Sequence, residues 1–146
     1  MKSIKLILFV SLLLITGKTF AQKPALTWKD VSKWTYNRGN SLSADGQWMA
    51  WANGPTEGDL KMTIRKTLDT LHYTYPIGAS AAGLSFSKDS KYAAFKVSPK
   101  DAEAKIARKS MKPLYDKLML VSLADNKQTT FEKVRSFSFS GNSSAW

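Results

Sequence analysis

The chain has no cysteine and one histidine among its 146 residues. Without thiols there is no disulfide framework, no thiolate metal site and no cysteine to carry a lipid anchor. With His72 alone, a Ser-His-Asp relay has one residue to draw on, and a histidine-based metal cluster has too few. Acidic residues are scarce, 11 against 22 lysines and arginines, for a formal charge of +11. There is no glycine-rich phosphate loop, no dinucleotide fingerprint and no Gly-x-Ser-x-Gly elbow. The longest apolar run, Leu6 to Ile15, is too short for a bilayer about 30 Å thick, which needs roughly 20 residues.

That run instead fits an export leader. Lys2 and Lys5 precede it, and Thr19-Phe20-Ala21 offers small residues three and one before a cut that leaves Gln22 first. A signal peptide over 1–21 is therefore expected, with export to a periplasm or beyond and no stable membrane span after its removal. Taking away Lys2, Lys5 and Lys18 lowers the formal charge from +11 to +8 for residues 22–146. Much of the remainder sits in one stretch, where Lys96, Lys100, Lys105, Arg108, Lys109, Lys112 and Lys117 face Asp101, Glu103 and Asp116. A nucleic-acid surface would interleave such cations with exposed aromatics. Tyr115 is the only aromatic between Lys96 and Lys117, so the stretch reads as a solvated insertion and no nucleic-acid partner is expected.

What the chain does have is a phrase written three times. Ser43-Ala44-Asp45-Gly46-Gln47-Trp48-Met49-Ala50-Trp51 returns as Ser87-Lys88-Asp89-Ser90-Lys91-Tyr92-Ala93-Ala94-Phe95, and begins again at Ser140. The leading serines are 44 and then 53 residues apart, the period of a β-propeller blade or a similar stacked β-unit. In each copy the Ser-x-Asp/Asn-Gly/Ser segment is a tight turn, since an Asp side chain bonds amides two residues on and Gly46 tolerates positive φ. The aromatic-x-Ala-aromatic that follows sets two rings on opposite faces of a strand, so both faces need cover. Trp48, Trp51, Tyr92 and Phe95 are thus expected in the core, with Ala50, Ala94 and Ala145 where sheets approach closely.

The rest of each cycle matches in order. Leu60–Arg65 and Lys117–Ser122 read as the next strand, Leu68–Thr70 and Ala124–Lys127 as its turn, and Leu71–Tyr75 and Gln128–Phe131 as the return. Leu84–Phe86 and Phe137–Phe139 lead into the following turn. The β-rhythm starts at Gly39, after a lead-in over 22–38 in which Leu26–Tyr36 suits a short helix or turn. The extra residues of the second cycle fall near 98–113, where Asp101–Met111 favours a short exposed helix ahead of Pro113. The expected fold is all-β: an incomplete propeller over 39–146, with repeats near 40–83, 84–136 and 137–146. Two blades and a started third would leave sheet edges and aromatic faces open, so the chain reads as the opening piece of a longer protein.

The pairing of LSADGQWMAW with FSKDSKYAAF resembles the propeller repeats of the prolyl oligopeptidase family of serine peptidases, and also those of Tol-type propellers. The layout of leader, LTWKDVSKW lead-in, GDLKMTIRKT and a basic insertion ahead of LMLVSLADNKQTTF is similar to exported, dipeptidyl peptidase-like bacterial members of that family. The resemblance covers residues 26–146. It implies an N-terminal propeller that gates peptide access to a C-terminal α/β-hydrolase domain carrying Ser, Asp and His, a domain absent from this chain. Peptide substrates and that hydrolase domain are then the implied partners. The alternative is a non-enzymatic Tol-type propeller used for binding in the cell envelope.

No catalytic, cofactor-binding or metal-binding residue is assigned, and no cofactor is expected. Ser80, in Gly78-Ala79-Ser80-Ala81-Ala82-Gly83, comes nearest to a nucleophile elbow, but it precedes a strand where an elbow follows one. A flexible linker between blades is the simpler account. His72 lies in an alternating strand and reads as a surface or packing residue. Ser85-Phe86-Ser87-Lys88 matches Ser-x-x-Lys without its companion motifs. Asp45, Glu57 and Asp59 offer oxygens for a hard cation, yet Asp45 is explained by its turn and the other two are too few.

Overall fold

The structure is a computed structural model that describes residues 25–31, 33–81 and 83–141. The expected leader at 1–21 and the third repeat from Asn142 on, Ala145 included, lie outside the described residues. After a one-turn helix α1 (Trp28–Val31) come strands β1 (Thr35–Leu42), β2 (Trp48–Pro55), β3 (Leu60–Lys66) and β4 (His72–Gly78). Strands β5 (Ser85–Phe86), β6 (Tyr92–Val97), β7 (Lys117–Ser122) and β8 (Gln128–Phe131) follow, with helix α2 (Asp101–Lys109) between β6 and β7. The chain is mostly β. Each run of four makes one antiparallel sheet in sequence order, β1-β2-β3-β4 and β5-β6-β7-β8.

The repeated turn is rebuilt nearly atom for atom. Ser43 Oγ donates to Asp45 Oδ1 at 2.6 Å and accepts from the Trp48 amide at 2.9 Å, while the Gln47 amide donates to Asp45 Oδ1 at 3.0 Å. In the second copy Ser87 Oγ donates to Asp89 Oδ1 at 2.7 Å, and the Tyr92 and Lys91 amides donate to Ser87 Oγ and Asp89 Oδ1 at 3.0 and 3.3 Å. Gly46 at φ 70 and Ser90 at φ 56 take the same left-handed position. A short hydroxyl and a short carboxylate thus satisfy the turn's amides locally, which is why these residue types recur.

Several bounds differ from the sequence reading. β1 starts at Thr35, ahead of Gly39, and Gly39 (φ 68) marks the bulge where pairing steps from Arg38↔Ala52 to Asn40↔Trp51. Every residue of β1 but Ser41 is exposed, so no apolar alternation announces the strand; pairing with β2 makes it. β4 runs past Tyr75 through Pro76 to Gly78, which an edge strand tolerates because no ladder amide is lost on its outer side. Helix α2 stops at Lys109, with Met111 at φ 53 turning the chain away. Phe137–Phe139 form no strand; their rings meet edge to face at 6.5 Å, and Gly83 is wedged between Phe137 and Lys96.

The two sheets share one core. Cross-strand register puts Ala50, Ile64 and Tyr73, then Ala52, Met62 and Tyr75, on one face of the first sheet. Ala93, Phe95 and Val121 of the second sheet, with Leu123 just past β7, complete the same buried cluster. The Tyr75 and Phe95 rings lie 5.5 Å apart across the seam, and the Tyr75 hydroxyl donates to Asn126 Oδ1. Burial pushes the Tyr75 phenol up to about 12, so it stays a neutral donor at ordinary pH.

Which faces meet is informative. Counting from the leading serines, Trp51 corresponds to Phe95 and Met49 to Ala93. Phe95 and Ala93 are fully buried against the first sheet, whereas Met49 is 41 % exposed and Trp51 half-buried. The sheets therefore pack front to back: the Trp48/Ala50/Ala52 face of one meets the Ala93/Phe95 face of the next. Trp51 and Tyr92, expected in the core, are only half-buried for this reason. Each lies on a face against which no further sheet packs among the described residues.

Candidate functional site

Besides the Tyr75–Asn126 bond, the seam between the sheets is drawn tight at three further places. At the turns, the Asp45 amide donates to Ser90 Oγ at 3.1 Å. At the linker, the Ser98 amide donates to the Ile77 carbonyl at 3.0 Å and the Ala79 amide to the Pro99 carbonyl at 3.1 Å. A Cβ on Gly78 (φ 68) would stand 2.0 Å from the Ser98 carbonyl oxygen. The linker beginning at Gly78 is thus pinned at its start, contrary to the flexible segment the small residues suggested.

The third place is helix α2. Its first amide, from Asp101, donates to Asp59 Oδ1 at 2.7 Å, and Lys105 Nζ lies 3.5 Å from Glu57 Oε2 and 2.9 Å from Asp101 Oδ2. The Asp101 and Glu57 carboxylates hold the Lys105 ammonium above its ordinary pKa, with Asp101 the larger cause. Glu57 and Asp59, weighed above as cation ligands, instead receive the insertion. The insertion is accordingly fastened at its base to the β2–β3 loop, and only its outer part stands in solvent. Sequence reasoning missed this contact because it joins residues more than 40 apart; the sign match of Glu57 and Asp59 with Lys105 was the one available hint.

Between the linker and α2 lies an open cleft of about 530 Å³, which Ser80, Ala107, Arg108, Lys112 and Leu114 help to line. The structure does not bring Ser80 and His72 together. His72 opens β4 and Ser80 lies past its other end, with the length of the strand, about 20 Å at the usual rise, between them. His72 is exposed, with its Nδ1 2.9 Å from the Thr70 carbonyl of its own turn. Ser85 Oγ bonds the neighbouring Phe86 carbonyl at 3.4 Å, and Lys88 is exposed. Among the described residues no three metal-ligating side chains gather. No helix there is long and apolar enough to cross a membrane.

The turns carry a pH signature. The Ser43 hydroxyl, then the Gln47 amide, holds the Asp45 carboxyl below its usual range, and Ser122 with Lys127 does the same for Asp125. Because folding lowers these values, the stability they contribute is present above about pH 4 and is lost as pH falls through the folded values. The thermal midpoint is expected to drop below about pH 4, with Asp45→Asn flattening part of that drop. Melts followed by circular dichroism check this, and a slope unchanged by the substitution would contradict it.

Comparison with protein-family models, with curated proteins and with solved structures found no match to this chain.

Proposed function

We propose that the two sheets over residues 35–131 are successive blades of a β-propeller, that 1–21 direct export, and that the propeller gates peptide access to a serine hydrolase domain carried on the same longer polypeptide. The observation that carries the blade reading is the front-to-back packing. A two-sheet sandwich that closed on itself would bury one face of each sheet symmetrically. Here unlike faces meet, and a heterologous contact of that kind repeats until it closes a ring or grows without limit. In the second sheet the face equivalent to the one that packs in the first, that of Tyr92, Ala94 and Lys96, is turned away from the first sheet, with Tyr92 and Lys96 half-buried and Ala94 buried. The first presents the face that packs in the second, at Met49 and Trp51. The β1 strand, polar and exposed along nearly its whole length, suits the wall of a solvated channel.

The peptidase part of the proposal rests on the repeat and lead-in motifs. In that role the chain supplies no group to bond-breaking; it restricts which peptides reach the nucleophile. The full-length protein is expected to react with a fluorophosphonate probe at one serine outside residues 1–146. Peptide mass mapping locates the adduct. Absence of labelling, together with a reading frame lacking a Gly-x-Ser-x-Gly elbow, would overturn the peptidase reading and favour a binding propeller of the cell envelope.

A further inference from the structure

The outer part of the α2 insertion combines exposed large apolar side chains with exposed cations. Within ten residues, Ile106 is 68 % exposed, Met111 94 %, Leu114 46 % and Tyr115 58 %. Single exposed apolar residues are ordinary, but four large ones on one short protrusion are not. Exposed Arg108, Lys109 and Lys112 stand among them. Nearby acids do not neutralise these three: Asp101 pairs with Lys105 and Asp116 with Lys96 at 3.4 Å. The protrusion is also held from below by the Asp101–Asp59 and Lys105–Glu57 contacts, so its tip is presented on a fixed base.

We propose that residues 106–115 form a surface anchor that seats Met111, Leu114 and Tyr115 in the headgroup layer of an anionic lipid bilayer, with Arg108, Lys109 and Lys112 over the lipid phosphates. A polyanion such as nucleic acid would satisfy the cations and leave the apolar tip in water. An anionic membrane boundary satisfies both at once, because its charge and its apolar layer lie a few ångströms apart. Tyr115 brings an apolar ring with a polar tip, the shape favoured at that depth. Anchoring by one short loop is reversible, since a few apolar side chains fall far short of a spanning helix. The inference does not depend on the peptidase reading.

The test is flotation of the full-length protein with phosphatidylcholine vesicles, with and without about one third phosphatidylglycerol. Binding to the phosphatidylglycerol vesicles is expected, weakened by added salt as exposed charges are screened. Lys109→Gln with Lys112→Gln should weaken it by about thirtyfold, at the usual contribution of a cation near an anionic surface. Met111→Ser with Tyr115→Ser should weaken it at least about tenfold. All four side chains are exposed, so unchanged thermal melts are expected to accompany the loss. Absence of binding to either vesicle would overturn the proposal, as would binding that survives both double substitutions. Binding only to an acidic protein or to nucleic acid would overturn it too. Because flotation reads no hydrolysis, its outcome is separate from that of serine labelling.

Discussion

Replacing Gly78 with alanine is expected to be among the most damaging single changes in this chain. Gly78 ends β4 at φ 68, and an added Cβ would lie 2.0 Å from the Ser98 carbonyl oxygen and 2.6 Å from that of Pro99. Both neighbours are backbone, so neither can swing aside as a side chain would. Relief requires the β6–α2 connection to move, which breaks the Ser98–Ile77 and Ala79–Pro99 hydrogen bonds that stitch the sheets together. Left-handed strain costs about 1–2 kcal/mol and overpacking about 1–3 kcal/mol, so a loss of about 2–5 kcal/mol is expected in denaturant melts. Gly46→Ala is the matched comparison. Its φ is 70, yet nothing lies within 4 Å of the added Cβ, so only the conformational part, about 1–2 kcal/mol, should be lost. Equal losses at the two positions would show that close approach at the linker is unimportant.

Phe95→Ala is expected to have a comparable effect by a different route. Phe95 is fully buried at the centre of the seam, against Tyr75 and among Ala93, Val121 and the first sheet. Truncating a buried phenylalanine typically costs about 3–5 kcal/mol, because contacts are lost and the cavity collapses only in part. That is a large share of the stability of an ordinary domain, about 5–15 kcal/mol. The Tyr75 ring would lose its partner across the seam, so the two sheets should come apart before either loses its strands. Urea melts measure the cost, and amide exchange in β4 and β6 shows where it falls. A change below about 1 kcal/mol would contradict the packing described here.

What the sequence made legible is what short-range chemistry decides. The bounds of β7 and β8 and the body of α2 follow from local pattern, and the Ser-x-Asp turn from side chains that bond their own backbone. β1 was harder, because Thr35-Tyr36-Asn37-Arg38 carries no alternation and becomes a strand only by pairing with β2. The assignment of faces was out of reach. Trp51 and Phe95 occupy the same place in the repeat, and nothing local distinguishes a ring facing another sheet from one facing open space. The pinned linker and the docked insertion were hidden for the same reason, since Gly78–Ser98 and Glu57–Lys105 are contacts between distant parts of the chain. Of the chemical candidates, the turn role of Asp45 was readable from spacing. The partners of Glu57 and Asp59 were not.

The proposed propeller requires unlike faces of equivalent sheets to meet in a series longer than the two described. Trp51 is the residue that reports on this most directly, since it is the counterpart of Phe95 on the face left open. The deciding measurement is the stability of Trp51→Ala in the full-length protein beside that of Phe95→Ala. If a further sheet seats against Met49 and Trp51, the two substitutions should cost alike, about 3–5 kcal/mol each. A Trp51→Ala protein as stable as its parent, with Phe95→Ala strongly destabilised, would contradict the continuing stack.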